Sequence, residues 1–400
     1  MERETEGREK TNKTIIKRKQ LENSMDYYHD RKIKISSSPS SSSSPFSNTN
    51  SSLLIFIFLI SSIKTTSVSA FNLTVIPYSQ AYSTLFSDFN IDPSPFDDSV
   101  RLLLNQHSGS GIISYDYYRY AFFSANIKLP AGNTAGVVVA FYASNVDTFE
   151  KNHDELDIEF LGNTRGKPWR FQTNMYGNGS TKRGREERYR LWFDPSKEFH
   201  RYSILWTPIK VIFYVDEVPI REVIRNDEMG GDFPAKPMAM YATIWDGSTW
   251  ATNGGKNKVD YKFEPFAAQL RDFVTDGCAV DPIQVPSATN CSDTALKIAV
   301  ADYFTVRPRQ RRAMRWFREK YMYYSHCYDN SRYNVPLPEC VIVPSEQVLF
   351  KETGRLREAM RIKFAGSHRR HRRSRNVTRK SHGGSAVVRL RSGNEAVAAV

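Results

Sequence analysis

The sequence predicts an all-β protein, an antiparallel sandwich or barrel, with a smaller unit of mixed structure behind it. Three observations carry this. Between Phe71 and about Phe273, short β-branched or aromatic runs follow one another closely, separated by Gly, Pro, Asn and Asp. No βαβ alternation and no internal repeat interrupts them. From Asp293 the texture changes to apolar positions interspersed with Arg and Lys, which has helical character.

The chain has 400 residues, enough for one large domain or two smaller ones. Its net charge of +13 is concentrated in the first 34 residues and in a tail after Arg355 that holds "HRRHRRSR". Such runs are solvated and disordered as a rule, and the middle of the chain is closer to neutral, so nucleic-acid binding is a poor default. The Ser-rich stretch "SSSPSSSSSPFSNTNSS" cannot build a core. Behind it, "LLIFIFLI" (residues 53–60) and a spacer ending in Val68-Ser69-Ala70 read as a secretory h-region and cleavage site. The run is too short for stable membrane insertion. An uncleaved anchor is the rival reading, and the long segment ahead leaves open a start at Met25.

The β elements follow in order: "RLLLNQ", "GIISYDYYRYAFFSANIKL", "AGVVVAFYAS", "ELDIEFLG", "RFQTNMYG", "HRYSILWTP", "KVIFYVDEVPIREV" and "PMAMYATIWDG". Within these, "FYVDEVPI" reads as a hairpin. "DTALKIAVADYF" and "PRQRRAMRWFREKYMYYSHC" read as helical, with Trp316 packed. Beyond about Glu352, disorder is expected after a short basic helix. Four cysteines stand late in the chain: Cys278, Cys291, Cys327 and Cys340. An even number in an exported chain implies disulfides, with three possible connectivities. The local loops Cys278–Cys291 and Cys327–Cys340 would each staple a short segment. Zinc is the rival, without a C-x-x-C to support it. Glycosylation sequons occur at Asn72, Asn178, Asn290 and Asn376, with Asn178 in a Gly-rich turn the best placed.

The stretch "HDELDIEFLG" carries the chemistry. Period-two alternation puts Glu155, Asp157 and Glu159 on one strand face and Leu156, Ile158 and Phe160 on the other. The outer acids lie about 13 Å apart at Cα by strand rise. Side chains leaning inward can close this to the roughly 5–5.5 Å of a retaining glycosidase. Asp157 between them can hydrogen-bond the nucleophile, while crowding raises the pKa of the carboxyl that acts as acid. A solvated acidic face or a Ca²⁺ site are the alternatives. His153 reads as a structural residue at the strand end.

"HDELDIEFLGN" resembles the catalytic signature of plant xyloglucan endotransglucosylase/hydrolases in glycoside hydrolase family 16. "FFSANIKLPAGNTAGVVVAFY", "FQTNMYGNGSTKRGREERYRLWFDPSKEFHRYSILWTP", "WDGSTWATNGGK", "CAVDP" and "YDNSRYNVPLPEC" resemble further family blocks in family order, from about Phe71 to Val341. The form "GNGSTKRGREER" is similar to the subgroup with a long basic tail. The resemblance implies a jelly-roll β-sandwich with a cleft across its concave sheet, followed by a small disulfide-stapled extension with a helix. The implied segments are a leader at 1–70, a catalytic domain at 71–275, the extension at 276–345 and a basic tail at 346–400. Glu155 is implied as nucleophile, Glu159 as acid/base and Asp157 as helper. Glu159, Gln172, Asn174, Tyr176, Arg185, Glu186, Trp245, Trp250, Gly254 and Arg332 are implied to meet sugar. The expected partners are a xyloglucan donor, a xyloglucan or oligosaccharide acceptor and the plant cell-wall matrix. A secreted apoplastic monomer needing no cofactor or metal is expected. A hydrolase of xyloglucan or mixed-linkage glucan, a non-catalytic wall-binding protein and a metal-dependent lectin are the rivals. Asn105-Gln106 and Ala121 depart from the family pattern, Ala121 where Gly is usual.

Overall fold

In the computed structural model, residues 71–283 and 291–357 are described. The leader with its h-region, the sequons at Asn290 and Asn376, and the tail from residue 358 lie outside them. The described strands form two antiparallel sheets. One has nine strands, in the order β1 (Tyr82–Phe86), β4 (Ser110–Ser114), β13 (Ala239–Asp246), β6 (Val137–Ser144), β7 (Glu155–Leu161), β8 (Arg170–Tyr176), β9 (Glu187–Tyr189), β15 (Met322–Asp329) and β16 (Thr353–Arg355). The other has seven: β12 (Val218–Ile224), β11 (Lys210–Val215), β10 (His200–Trp206), β5 (Tyr117–Lys128), β14 (Phe266–Val280), β3 (Ser99–Leu104) and β2 (Ile91–Pro93).

Alternation decides which side chains fill the space between the sheets. Leu156, Ile158 and Phe160 of β7 are fully buried there, each stabilising the sandwich by about 1.5–3 kcal/mol. Phe160 meets Tyr202 of β10 edge to face at 4.7 Å, and Phe171 of β8 lies 6.0 Å from the same ring. The expected hairpin is β11–β12. Its two-residue turn, Asp216-Glu217, has positive φ at both positions, as a twisted hairpin requires. Ala121 packs on β5 opposite Gly277 of β14, where an added Cβ would come within 2.4 Å of the Ala121 methyl. Asn105 closes the β3–β4 turn by accepting from the backbone N–H of His107 and Ser108.

The structure differs from expectation in the C-terminal part. The longer helices there are α1 (Ser292–Val300) and α2 (Pro308–Tyr321), and a single helical turn, Pro344–Gln347, follows them. "ADYF" leaves the helix, and Tyr303 stacks on Phe122 at 4.0 Å. "MYYSHC" is not helical. It opens β15, whose residues pair with β9 and with β16, so the extension continues the nine-stranded sheet. Thr353–Arg355 is a strand rather than a basic helix. On α2 the packed aromatic is Phe317, fully buried, while Trp316 is half exposed. Strand β14, the longest among the described residues, has no counterpart in the sequence pattern. Disulfides join Cys278 to Cys291 and Cys327 to Cys340. Among the described residues, no helix is long and apolar enough to cross a membrane.

Candidate active site

Glu155, Asp157 and Glu159 project from the outer face of β7, opposite the core. The preceding residue sets the strand's position. Asp154 is buried and accepts the backbone N–H of Asn178, Ala235 and Lys236 and the Lys236 ammonium, all at 2.7–2.8 Å. His153 ends the strand through backbone contacts and lowers the Glu155 pKa by its nearby charge.

Register builds the rest. Along three cross-strand rows, Glu155 faces Ser144 and Tyr176, Asp157 faces Tyr142 and Asn174, and Glu159 faces Ala140 and Gln172. The third row continues through Arg188 of β9 to Tyr324 of β15 and Arg355 of β16. The Gln172 Nε2 donates to the Glu159 carboxylate at 2.7 Å. Asn174 uses its Oδ1 to accept the backbone N–H of Met175 and Arg185, which fixes the loop after β8. Tyr142 stacks on Tyr241 of β13 at 4.9 Å, forming an aromatic wall beside Asp157.

The three carboxyls stand close together, Asp157 buried and Glu155 and Glu159 half-buried. Burial raises the pKa of each. Asp157 is raised furthest in cause as well as degree. After burial, the charges of Glu155 and Glu159 on either side disfavour its ionised form. Its hydrogen bond to Glu155 raises Asp157 and lowers Glu155, so Asp157 holds the shared proton and Glu155 carries the charge. Ser144 also donates to Glu155 and favours its ionised form. Glu159 is raised by burial and by the charges of Glu186 and Glu155, with Gln172 and Arg188 opposing. The site therefore separates one charged carboxylate from two that hold protons more readily, on one rigid strand.

This predicts a pH signature. Donation from Gln172 favours the ionised Glu159. Gln172→Leu removes it, so Glu159 keeps its proton to higher pH. A group that must be protonated to act as acid then loses activity later, and the alkaline limb of kcat/KM moves upward in pH. A limb that stays put or moves down would exclude Glu159 as that acid.

The other expected residues divide. Trp245 is half-buried at the far end of the outer face, paired in register with Val138, and lies 5.9 Å from the exposed Trp250. Gly254, with φ +66° and open space at its Cβ position, sits in the same loop. Tyr176 is half-buried in the row of Glu155. Glu186 pairs with Arg188. Arg332 reaches back toward this face, its guanidinium 5.4 Å from the Tyr333 ring and against Gly184. Arg185 is placed otherwise. It is fully buried, with ion pairs to Glu339 at 2.6 Å and Asp232 at 2.8 Å, so it offers a sugar no surface. It ties the β8–β9 loop to the extension instead. Asn178 is exposed in the turn after β8, with φ +51°. Sequence reading missed Ser144, Tyr142, Tyr241, Arg188 and Tyr324. Each alternates correctly within its own strand, but only the register aligns them with the acids.

Residues 79–263 match the model for glycosyl hydrolases family 16, and residues 297–340 match that for the xyloglucan endo-transglycosylase C-terminus. The chain is 62% identical over 320 residues to "Probable xyloglucan endotransglucosylase/hydrolase protein 30" of Arabidopsis thaliana, covering 80% of this chain and 91% of that one. It is 57% identical to "Probable xyloglucan endotransglucosylase/hydrolase protein 29" of the same plant, covering 78% and 88%. Among solved structures, a Bacillus licheniformis beta-glucanase is 21% identical with a TM-score of 0.41, covering 52% of this chain and 98% of that one.

Proposed function

The chain belongs to the xyloglucan endotransglucosylase/hydrolase family, and from that premise we propose that it cuts the β-1,4-glucan backbone of xyloglucan with retention and transfers the new end to another xyloglucan chain. In the first step, a Glu155 oxygen bonds the anomeric carbon as the bond to the leaving chain breaks, and Glu159 gives its proton to the leaving oxygen. In the second step, Glu159 takes the proton of an acceptor hydroxyl, the acceptor oxygen bonds the anomeric carbon, and the ester to Glu155 is released. A water in place of the acceptor gives hydrolysis by the same steps. Asp157 keeps the shared proton directed at Glu155 and holds that carboxylate oriented for attack.

The observation that carries this reading is the register of β6, β7 and β8. It sets an ionised carboxylate and a protonatable one on one face, each with its own tuning partner, Ser144 or Gln172. Tyr142, Tyr176, Asn174, Trp245, Trp250, Gly254, Glu186 and Arg332 would line the path of the glucan on either side. Residues 71–275 act as the catalytic unit and 276–345 as the extension that adds β15 to its sheet, with β16 beyond it as the last strand. The leader directs secretion to the apoplast and cell wall, where Asn178 is open to glycosylation. Neither metal nor cofactor is needed for these steps.

The test uses purified protein with xyloglucan, with and without a labelled xyloglucan oligosaccharide. Label entering polymer faster than reducing ends appear is expected. Reducing ends without label would reassign the protein as a hydrolase, and neither signal would overturn the proposal.

A further inference from the structure

Beyond the acids, the outer face carries a second feature, a pocket of about 490 Å³ lined by Glu186, Arg188, Tyr324, Asp329, Ser331, Arg332, Thr353 and Arg355. Its volume lies within the range of small-ligand sites. It occupies the row of Glu159, three and four strands away at Tyr324 and Arg355, which is about 14 and 19 Å at normal strand spacing. That distance is a few sugar units along an extended chain crossing the strands.

The charges in the pocket do not cancel. Three guanidiniums face two carboxylates. Glu186 is taken by Arg188, which lies 4.9 Å from the Tyr324 ring. Asp329 accepts from the hydroxyls of Tyr324 and Ser331 and the backbone N–H of Arg332. Among the described residues, Arg332 and Arg355 have no ion-pair partner. Two planar forks without a carboxylate partner, Arg332 bonded to the Tyr324 hydroxyl, flanked by an aromatic ring and the Thr353 hydroxyl, match a carboxylate on a sugar ring. Strand β16, which brings Thr353 and Arg355, lies beyond the matched C-terminal family segment of residues 297–340.

We infer that this pocket receives a carboxylate-bearing sugar, a hexuronate unit, on the incoming acceptor glycan. The pocket shares the row of the acid/base rather than that of the nucleophile, and the acid/base is the group that meets the acceptor hydroxyl. The inference rests on the transfer reading above and extends its acceptor class from neutral to acidic glycans. The covalent step is unchanged. The ester to Glu155 breaks, the acceptor oxygen bonds the anomeric carbon, and the acceptor proton goes to Glu159.

The experiment compares two labelled β-1,4-gluco-oligosaccharides of equal length, one neutral and one oxidised to the carboxylate at C6 of a unit away from the accepting end. With the full chain and xyloglucan donor, kcat/KM is expected to favour the oxidised acceptor by about fivefold at low salt, with the preference fading as salt screens the pair. Arg355→Gln is expected to bring the ratio of the two acceptors close to one, and free glucuronate to compete only at much higher concentration. A ratio of one in the unaltered protein, or a ratio untouched by Arg355→Gln, overturns the inference. Transfer to the neutral acceptor in the same assay keeps the broader reading separate. Binding of both oligosaccharides to Glu155→Ala protein reads the pocket without turnover, and equal affinities there overturn the inference whatever becomes of transfer.

Discussion

Glu155→Ala lowers both transfer and hydrolysis by about 10⁴–10⁶-fold, the scale seen when a covalent nucleophile is removed, while xyloglucan binding persists. On the proposed mechanism both activities fall together, because both pass through the ester on Glu155. Binding persists because the tyrosines, tryptophans and amides of the outer face are untouched. Folding survives as well. Removing one of three crowded carboxyls relieves repulsion, and the side chain lies outside the core. Turnover measured with both assays, and affinity by calorimetry, check this. Activity within tenfold of the unaltered protein would remove Glu155 from the mechanism. Parallel losses of activity and affinity would make it a binding residue.

Arg318→Met destabilises the fold by about 3–5 kcal/mol at neutral pH, the cost of leaving a buried charge without its partner. Beneath β8 and β9, Glu187 accepts two hydrogen bonds from Arg318, at 2.6 and 2.9 Å, and one from Ser325 at 2.9 Å. Arg221 from the opposite sheet sits 3.6 Å from the same carboxylate and donates to the Thr173 hydroxyl at 3.0 Å. Arg318 also pairs with Glu346 at 2.9 Å. These contacts join α2 and the extension to the back of the strand that carries Gln172 and Asn174. Burial opposes ionisation of Glu187, but the Arg318 and Arg221 charges outweigh it and hold its carboxyl well below the usual range. Glu187 therefore contributes stability above its unfolded value, about pH 4.3, and loses it as pH falls toward its depressed folded value. In Arg318→Met the carboxyl loses its main cation and takes up a proton more readily. The gap between variant and parent should narrow below about pH 4.3. Denaturant unfolding at several pH values measures both effects. A gap under 1 kcal/mol at pH 7, or one that widens in acid, would show that the network does not hold the extension in place.

Much of the site was legible because it is local. Alternation in Glu155–Phe160 is enough to separate three acids from three core residues, since successive strand side chains must point to opposite faces. The same rule places Gln172, Asn174 and Tyr176 together on β8. The β11–β12 hairpin was legible for a similar reason, with turn and strands contiguous. Strand β14 was not. Its Arg271, Asp272 and Gly277 break the alternation, and it forms because β3 and β5 supply partners on both sides. The start of β15 was misread because Arg and aromatics in α2 run straight into it. Only pairing with β9 makes the chain extend there.

By itself, the sequence determined the acidic and apolar faces of one strand, the even set of cysteines and the family. The tertiary structure decided who stands beside whom. It gave Gln172 to Glu159 and Ser144 to Glu155, buried Arg185 in ion pairs with Asp232 and Glu339, and carried β15 and β16 into the catalytic sheet to form a cationic pocket. The physical reason is range. Face and turn depend on neighbours a few residues away, whereas register and buried ion pairing depend on partners that folding brings from far along the chain.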